Sequence, residues 1–474
     1  MSYICTTQTE SIPLIMKKIS LVFYAVLTTS AIAGAQNLKF DFGPKDSVAE
    51  GYTAVSASDI YSDQTGYGFE PGAAITEFAN KKGTALTKDY VTSNEVFKFS
   101  VKLPEGNYKV TLTLGDTKGT SCTTVKSEIR RLHLESFKTA KSEVKEVSFN
   151  VNIRTPKLSK NNEIKLNGSE IDYATGAIKK LTWDDKLTLS FYDSEPRLCG
   201  MTVEPASENV ITVFVIGDST VTDQAGGGTW GQYLPRWFDG NVVVANHAES
   251  GMTIKGFRFG RRWDKIMESC KEGDYLLIQL GTNDEKSRGH DPMWDSEDQA
   301  GDWIRTHSAA DSDYIWELAA MAVEARRHGV TPVIVSPMTK INRADGSATS
   351  LMTPYGINAP KAAELAGCAF IDLWGMSMDI VKALGKDSVK AYSDGTHTDN
   401  YGAYLFSLGI IKGIRENGLG LAEFILPGTP EFNPKDPHPS LSEFSCPIEP
   451  RRTFAKPAPR QTESANGMTQ FGPL

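Results

Sequence analysis

Ile211-Thr212-Val213-Phe214-Val215-Ile216-Gly217-Asp218-Ser219-Thr220 is a short apolar run that ends in a glycine and three small polar residues. A run of this length, rich in β-branched residues, reads as a strand buried on both faces, and Gly217 lets the backbone turn tightly where it stops. Ser219 therefore stands at the carboxyl end of a strand, where open parallel sheets place their ligands. Four further runs share that character: Val242 to Ala245, Tyr275 to Leu280, Pro332 to Val335 and Ala369 to Leu373. Helical periodicity lies between and after them, over Tyr314 to His328 and Tyr401 to Glu416.

Strands alternating with helices predict a parallel sheet covered on both faces, a three-layer α/β domain of the flavodoxin-like kind over residues 207–426. Upstream the pattern differs. Phe97 to Leu103, Tyr108 to Leu114, Val147 to Ile153 and Leu187 to Tyr192 are short alternating runs, with turn clusters such as Pro104-Glu105-Gly106-Asn107 between them. Residues 36–206 thus predict an all-β sandwich. Residues 427–474 are Pro-rich and polar and are expected to form an extended tail.

At the amino end, Met16-Lys17-Lys18 opens an apolar run, Ile19 to Ile32, that closes on Ala33-Gly34-Ala35. A basic start, a short apolar core and small residues before the cleavage point predict a signal peptide over residues 1–35, with translation starting at Met16 and cleavage before Gln36. The protein is therefore expected to be secreted or periplasmic. The remaining chain has no run of the roughly 20 apolar residues that a membrane helix needs. A net charge of -8 gives no reason to expect a nucleic-acid partner. Export permits disulfides among Cys122, Cys199, Cys270, Cys368 and Cys446, with free thiols the equal alternative. None of them has a metal-ligand spacing, and neither metal nor cofactor is expected.

A serine hydroxyl needs a base, and the base needs a group that fixes its tautomer. Asp394-Gly395-Thr396-His397 offers both on one loop, Asp394 to orient the ring and His397 to take the proton from Ser219. Two more blocks each follow a predicted strand: Asn246-His247-Ala248-Glu249-Ser250-Gly251 and Gly281-Thr282-Asn283-Asp284. The Ser219 and Gly251 backbone N–H groups and the Asn283 side-chain amide are candidate donors to a tetrahedral oxyanion. A helix starting at Ser219 is expected to add its dipole. Taken singly, each block is equally well an ordinary turn or cap.

As an ordered set, Ser219, Gly251, Asn283 and His397 resemble the four blocks of the SGNH, or GDSL, hydrolase superfamily over about residues 209 to 420. The Gly-Asp-Ser-Thr start, the Asn-His-Ala-Glu-Ser-Gly block and the Asp-Gly-Thr-His-Thr end are most similar to the rhamnogalacturonan acetylesterase branch. Phe40-Asp41-Phe42-Gly43 and Gly66-Tyr67-Gly68-Phe69 resemble the opening of galactose-binding-like modules that precede polysaccharide esterases. The resemblance implies a secreted, metal-independent serine esterase that removes acetyl groups from plant cell-wall polysaccharide, with acetylated rhamnogalacturonan as substrate. The alternatives are an acetylxylan or broad-specificity esterase or lipase of the same mechanism, and a non-catalytic polysaccharide-binding protein. Relatives often carry His where Thr282 stands and Arg where Met252 stands, so substrate contacts are expected to differ.

The segment Glu285 to Ala310 is long for its position and carries Trp294, Trp303, His290 and His307. Trp294 or Trp303 is a candidate stacking surface for a sugar ring, against the alternative of a tryptophan that anchors its own loop. Arg258, with Arg261 and Arg262, is a candidate partner for galacturonate carboxylates, against the alternative of a solvated helix face.

Overall fold

The computed structural model describes residues 37–167, 170, 181–286 and 310–447; the expected leader and the side chains of His290, Trp294, Trp303 and His307 lie outside them. Between Leu38 and Pro205 the described chain forms a seven-stranded and a five-stranded sheet that share one apolar cluster. Alternation decides the faces. In Phe97–Lys102, Phe97, Phe99 and Val101 enter the cluster while Lys98 and Lys102 point away. Phe99 meets Phe42 edge-on, with ring centroids 4.9 Å apart, so aromatic packing joins the two sheets.

From Ile211 on, five strands pair in parallel, in the spatial order Val242–Asn246, Ile211–Gly217, Tyr275–Gln279, Thr331–Val335, Ala369–Ile371. Numbered along the chain this is 2-1-3-4-5, the flavodoxin-like order. Val213 and Val215 pack under Leu405, Phe406 and Leu408 of the helix Asn400–Glu416, whereas Phe214 and Ile216 pack under Leu318 and Met321 of the helix Asp313–Arg327. A strand buried on both faces has no polar alternation, which is why the run beginning at Ile211 is apolar throughout. The last strand stops at Ile371 rather than Leu373, because Asp372 caps the next helix by accepting from Gly375 N.

The tail is extended but well packed as far as it is described. Phe432 and Cys446 are buried, and Phe444 stands 5.4 Å and 5.3 Å from Tyr401 and Tyr404 on the last helix. The five described cysteines are free thiols.

No open linker separates the sandwich from the parallel sheet. Leu132 of the sandwich strand Arg131–Thr139 belongs to the same apolar cluster as Trp230, Leu234 and Trp237. Arg131 Nε pairs with Asp223 Oδ2 at 2.6 Å, both side chains 2% exposed. Buried beside them, Glu128 closes the hairpin that leads into that strand. Burial pushes its carboxyl up to about 8, against the pull of Arg131. The folded state then holds a proton that the unfolded chain loses near 4.5. Stability from this group is therefore complete below about pH 4.5 and lost as the pH rises towards 8. Glu128→Gln is expected to flatten this decline, so that urea unfolding at pH 8 finds the variant more stable than the parent. An unchanged difference between pH 5 and pH 8 would show that Glu128 is ionised in the fold.

Candidate active site

The strand Ile211–Gly217 delivers Ser219 to the carboxyl edge of the sheet. A Cβ on Gly217 would meet Val221 Cγ2 at 2.5 Å, so the turn closes only because that position is glycine. Asp218 fixes the turn: its Oδ1 accepts from Thr220 N at 2.9 Å and from Thr220 Oγ1 at 2.8 Å, and its carbonyl accepts from Val221 N and Thr222 N. Beneath it, Gln279 Nε2 donates to Thr220 Oγ1 at 2.7 Å while Gln279 Oε1 accepts from Trp230 Nε1 at 2.7 Å. Ser219 sits at the crest of this buried frame. The helix expected to start at Ser219 is absent; the chain runs as turn and loop until Trp230. After Thr222 the chain carries Asp223, buried in its pair with Arg131, and then passes through Gly226-Gly227-Gly228, a run without helix propensity. Oxyanion stabilisation at Ser219 thus has no helix dipole to draw on.

The structure brings Asp394 and His397 to Ser219. Asp394 Oδ1 accepts from Thr396 N at 2.6 Å and His397 N at 2.7 Å, and its Oδ2 lies 2.7 Å from His397 Nδ1. His397 Nε2 lies 2.8 Å from Ser219 Oγ. Burial pushes the Asp394 carboxyl up, but the His397 N–H, its imidazole and the Thr396 N–H outweigh burial and hold the group below its ordinary value. With Asp394 ionised, Nδ1 carries the ring proton and Nε2 turns its lone pair to the serine hydroxyl. Such a chain removes a proton from Oγ as Oγ attacks an acyl carbon.

Gly251 and Asn283 flank Ser219 because their strands flank its strand. Val215 pairs with Asn246 in one neighbour and Gly217 with Gln279 in the other. Gly251 has φ +81°, in the left-handed region that favours glycine. Asn283 Nδ2 donates to Met252 O at 3.1 Å, tying the two flanking loops together. His247, in the same block as Gly251, serves packing instead. It lies 5.7 Å from both Trp183 and Phe214, and burial together with Arg154 and Lys265 holds its imidazole well below the ordinary value.

The arginines proposed for substrate carboxylates have other partners. Arg258 Nη1 pairs with Glu324 at 3.0 Å, its guanidinium 5.0 Å over Trp263, and Arg261 pairs with Asp264. Arg262 is fully buried against Glu170. Trp294 and Trp303 lie outside the described residues. The supporting residues Gln279 and Trp230 went unread in the sequence, since the hydrogen bond that joins them links positions 49 apart.

Residues 215–403 match the family described as GDSL-like lipase/acylhydrolase. The rhamnogalacturonan acetylesterase RhgT of Bacillus subtilis (strain 168) is 30% identical over 238 residues, which are 46% of this chain and 94% of that protein. The chain belongs to the GDSL family. Ahead of its GDSL domain, residues 38–130 match the beta-agarase/YXIM esterase-like, galactose-binding domain-like family. The uncharacterized esterase YxiM of Bacillus subtilis (strain 168) is 28% identical over 324 residues, covering 63% of this chain and 75% of that one. A crystal structure of protein YxiM from Bacillus subtilis aligns with 22% identity over 81% of this chain and 99% of that chain, with a TM-score of 0.41. Membership in the GDSL family makes the chain a carboxylic ester hydrolase, built as a β-rich domain followed by an α/β hydrolase domain.

Proposed function

We propose that this chain is a serine O-acetylesterase acting on acetylated carbohydrate, and that its polymer is pectic rhamnogalacturonan. The observation that carries the proposal is the unbroken chain from Ser219 Oγ through His397 to Asp394, at 2.8 Å and 2.7 Å. His397 takes the Ser219 proton as Oγ bonds to the acetyl carbonyl carbon. The Ser219 and Gly251 N–H groups and the Asn283 amide receive the negative charge on the carbonyl oxygen. His397 then gives that proton to the sugar oxygen, which departs as a hydroxyl and leaves acetyl-Ser219. Water, deprotonated by His397, attacks the acetyl carbon, and His397 passes that proton to Oγ as acetate leaves and Ser219 is freed. The identity with RhgT supports the pectic substrate, and the leader read at Met16 supports action outside the cytoplasm.

Acetate release from acetylated rhamnogalacturonan, acetylated xylan and a short-chain aryl acetate at one pH tests the reading. The expected result is fastest release from the pectic polymer, abolished by Ser219→Ala. Release from xylan or the aryl ester alone would remove the pectic assignment, and no Ser219-dependent release would favour a binding role. Asn283→Ala is expected to lower kcat about 10²- to 10³-fold with KM nearly unchanged, because the amide meets a charge that exists only in the transition state. A variant with parental kcat would take Asn283 out of the oxyanion site.

A further inference from the structure

The β-sandwich reaches into the esterase site through one hairpin. It joins the strands Ser121–Ser127 and Arg131–Thr139 through Glu128-Ile129-Arg130. Glu128 and Arg130 both have positive φ, 52° and 65°, a conformation that residues with a Cβ adopt only when their surroundings enforce it. Here the result of that backbone is two arginines presented to the other domain.

Arg130 is buried, and its planar fork contacts two separate loops. Nη1 donates to Ala225 O at 2.9 Å and Gly227 O at 2.6 Å, on the loop that follows Ser219. Nη2 donates to Asn400 Oδ1 at 2.8 Å, three residues beyond His397. Neighbouring contacts reinforce both attachments. Gln232 Nε2 donates to Ile129 O at 2.7 Å, Arg131 Nε pairs with Asp223 four residues after Ser219, and Asn246 Nδ2 reaches the other Asp223 oxygen at 3.0 Å. The two loops also bind each other, Thr398 Oγ1 donating to Gly228 O at 2.5 Å and Gly228 N to Thr398 O at 3.2 Å. The loop so held contains Gly226, Gly227 and Gly228, which have no side chains of their own to fix it.

We propose that Arg130 is a positioning residue of the active site: the sandwich supplies it to lock the nucleophile loop against the histidine loop, keeping Ser219 Oγ within reach of His397 Nε2. The proposal rests on reading Ser219 and His397 as the reacting pair. It gives the sandwich a task in catalysis that is separate from any glycan it binds. A reacting pair displaced by about 1 Å loses up to about a hundredfold in rate, even when the change lies outside the chemistry.

The test compares Arg130→Ala, Arg130→Lys and Arg130→Gln with Ser219→Ala in the full chain, reading kcat, KM, circular dichroism and melting temperature with an aryl acetate. Arg130→Ala is expected to keep its folded spectrum, lose about ten- to a hundredfold in kcat and hold KM within about twofold. Arg130→Lys is expected to recover part of the rate, since an ammonium serves fewer of the three oxygens, and millimolar methylguanidine is expected to raise kcat of Arg130→Ala but not of Ser219→Ala. Parental kcat in Arg130→Ala, or a loss matched only by a smaller folded fraction, overturns the proposal. If Arg130→Ala does not fold, a folded Arg130→Lys or Arg130→Gln with parental kcat overturns it equally. Activity lost in Ser219→Ala and kept in Arg130→Ala removes the positioning role alone, whereas activity kept in Ser219→Ala removes the serine mechanism beneath it.

Discussion

Replacing His397 by alanine is expected to lower ester hydrolysis about 10⁴- to 10⁶-fold, and adding Ser219→Ala is expected to cost almost nothing more. The reason is that the two side chains act in one event: Oγ attacks only as Nε2, 2.8 Å away, takes its proton. Once either is gone the other has no partner, so the penalties do not multiply. The donors proposed at Gly251 and Asn283 persist in both variants and are expected to set the residual rate. Measurement of kcat/KM on an aryl acetate for the two single variants and the double variant decides the point. Independent, multiplicative losses would mean that the serine and histidine serve different steps.

Asp394→Asn is expected to lower kcat about 10²- to 10⁴-fold while the loop keeps its shape. The amide oxygen can still accept from Thr396 N and His397 N, as Asp394 Oδ1 does. The amide nitrogen then faces His397 Nδ1 where the carboxylate Oδ2 stood, and two donors cannot share that contact. The ring must take the other tautomer, with its proton on Nε2 facing Ser219, and it can no longer accept the hydroxyl proton. The Asp394 side chain is 48% exposed, so water offers some compensation and the loss falls short of that for a fully buried acid. Because Asp394 is held below the ordinary carboxyl value, it stays ionised as the pH falls through the weakly acidic range. The Asp394 carboxyl carbon is therefore expected to hold its ionised NMR shift between pH 7 and pH 5, and a move to the protonated shift at pH 5 would mean that Asp394 is already protonated there.

What the sequence made legible was local. The strand at Ile211 is apolar because both its faces are covered, and Asp394 lies three residues before His397 on the loop they share, so short segments were enough to read them. The helix-covered parallel sheet of the flavodoxin-like kind likewise followed from strands that alternate with helices, and the strand order agrees with it. Contacts between distant segments were not legible. Arg262 read as part of a galacturonate-binding group or of a solvated helix face, yet it is buried against Glu170, because charge spacing along a helix does not reveal a partner 92 residues away. Arg130 and Arg131 had no local sign of use, since their partners lie on loops of the other domain. The helix expected at Ser219 is absent, and the segment that takes its place holds the cross-domain pair at Asp223 and three glycines that disfavour helix.

Covalent capture distinguishes Ser219 from any other nucleophile in reach of His397. The full chain treated with diethyl 4-nitrophenyl phosphate is expected to gain a single phosphoryl adduct, found by peptide mass spectrometry on Ser219, with loss of ester hydrolysis in step. His397→Ala is expected to remain unlabelled over the same time. An adduct on another residue, or full hydrolytic activity in protein that carries the Ser219 adduct, would rule out Ser219 as the nucleophile.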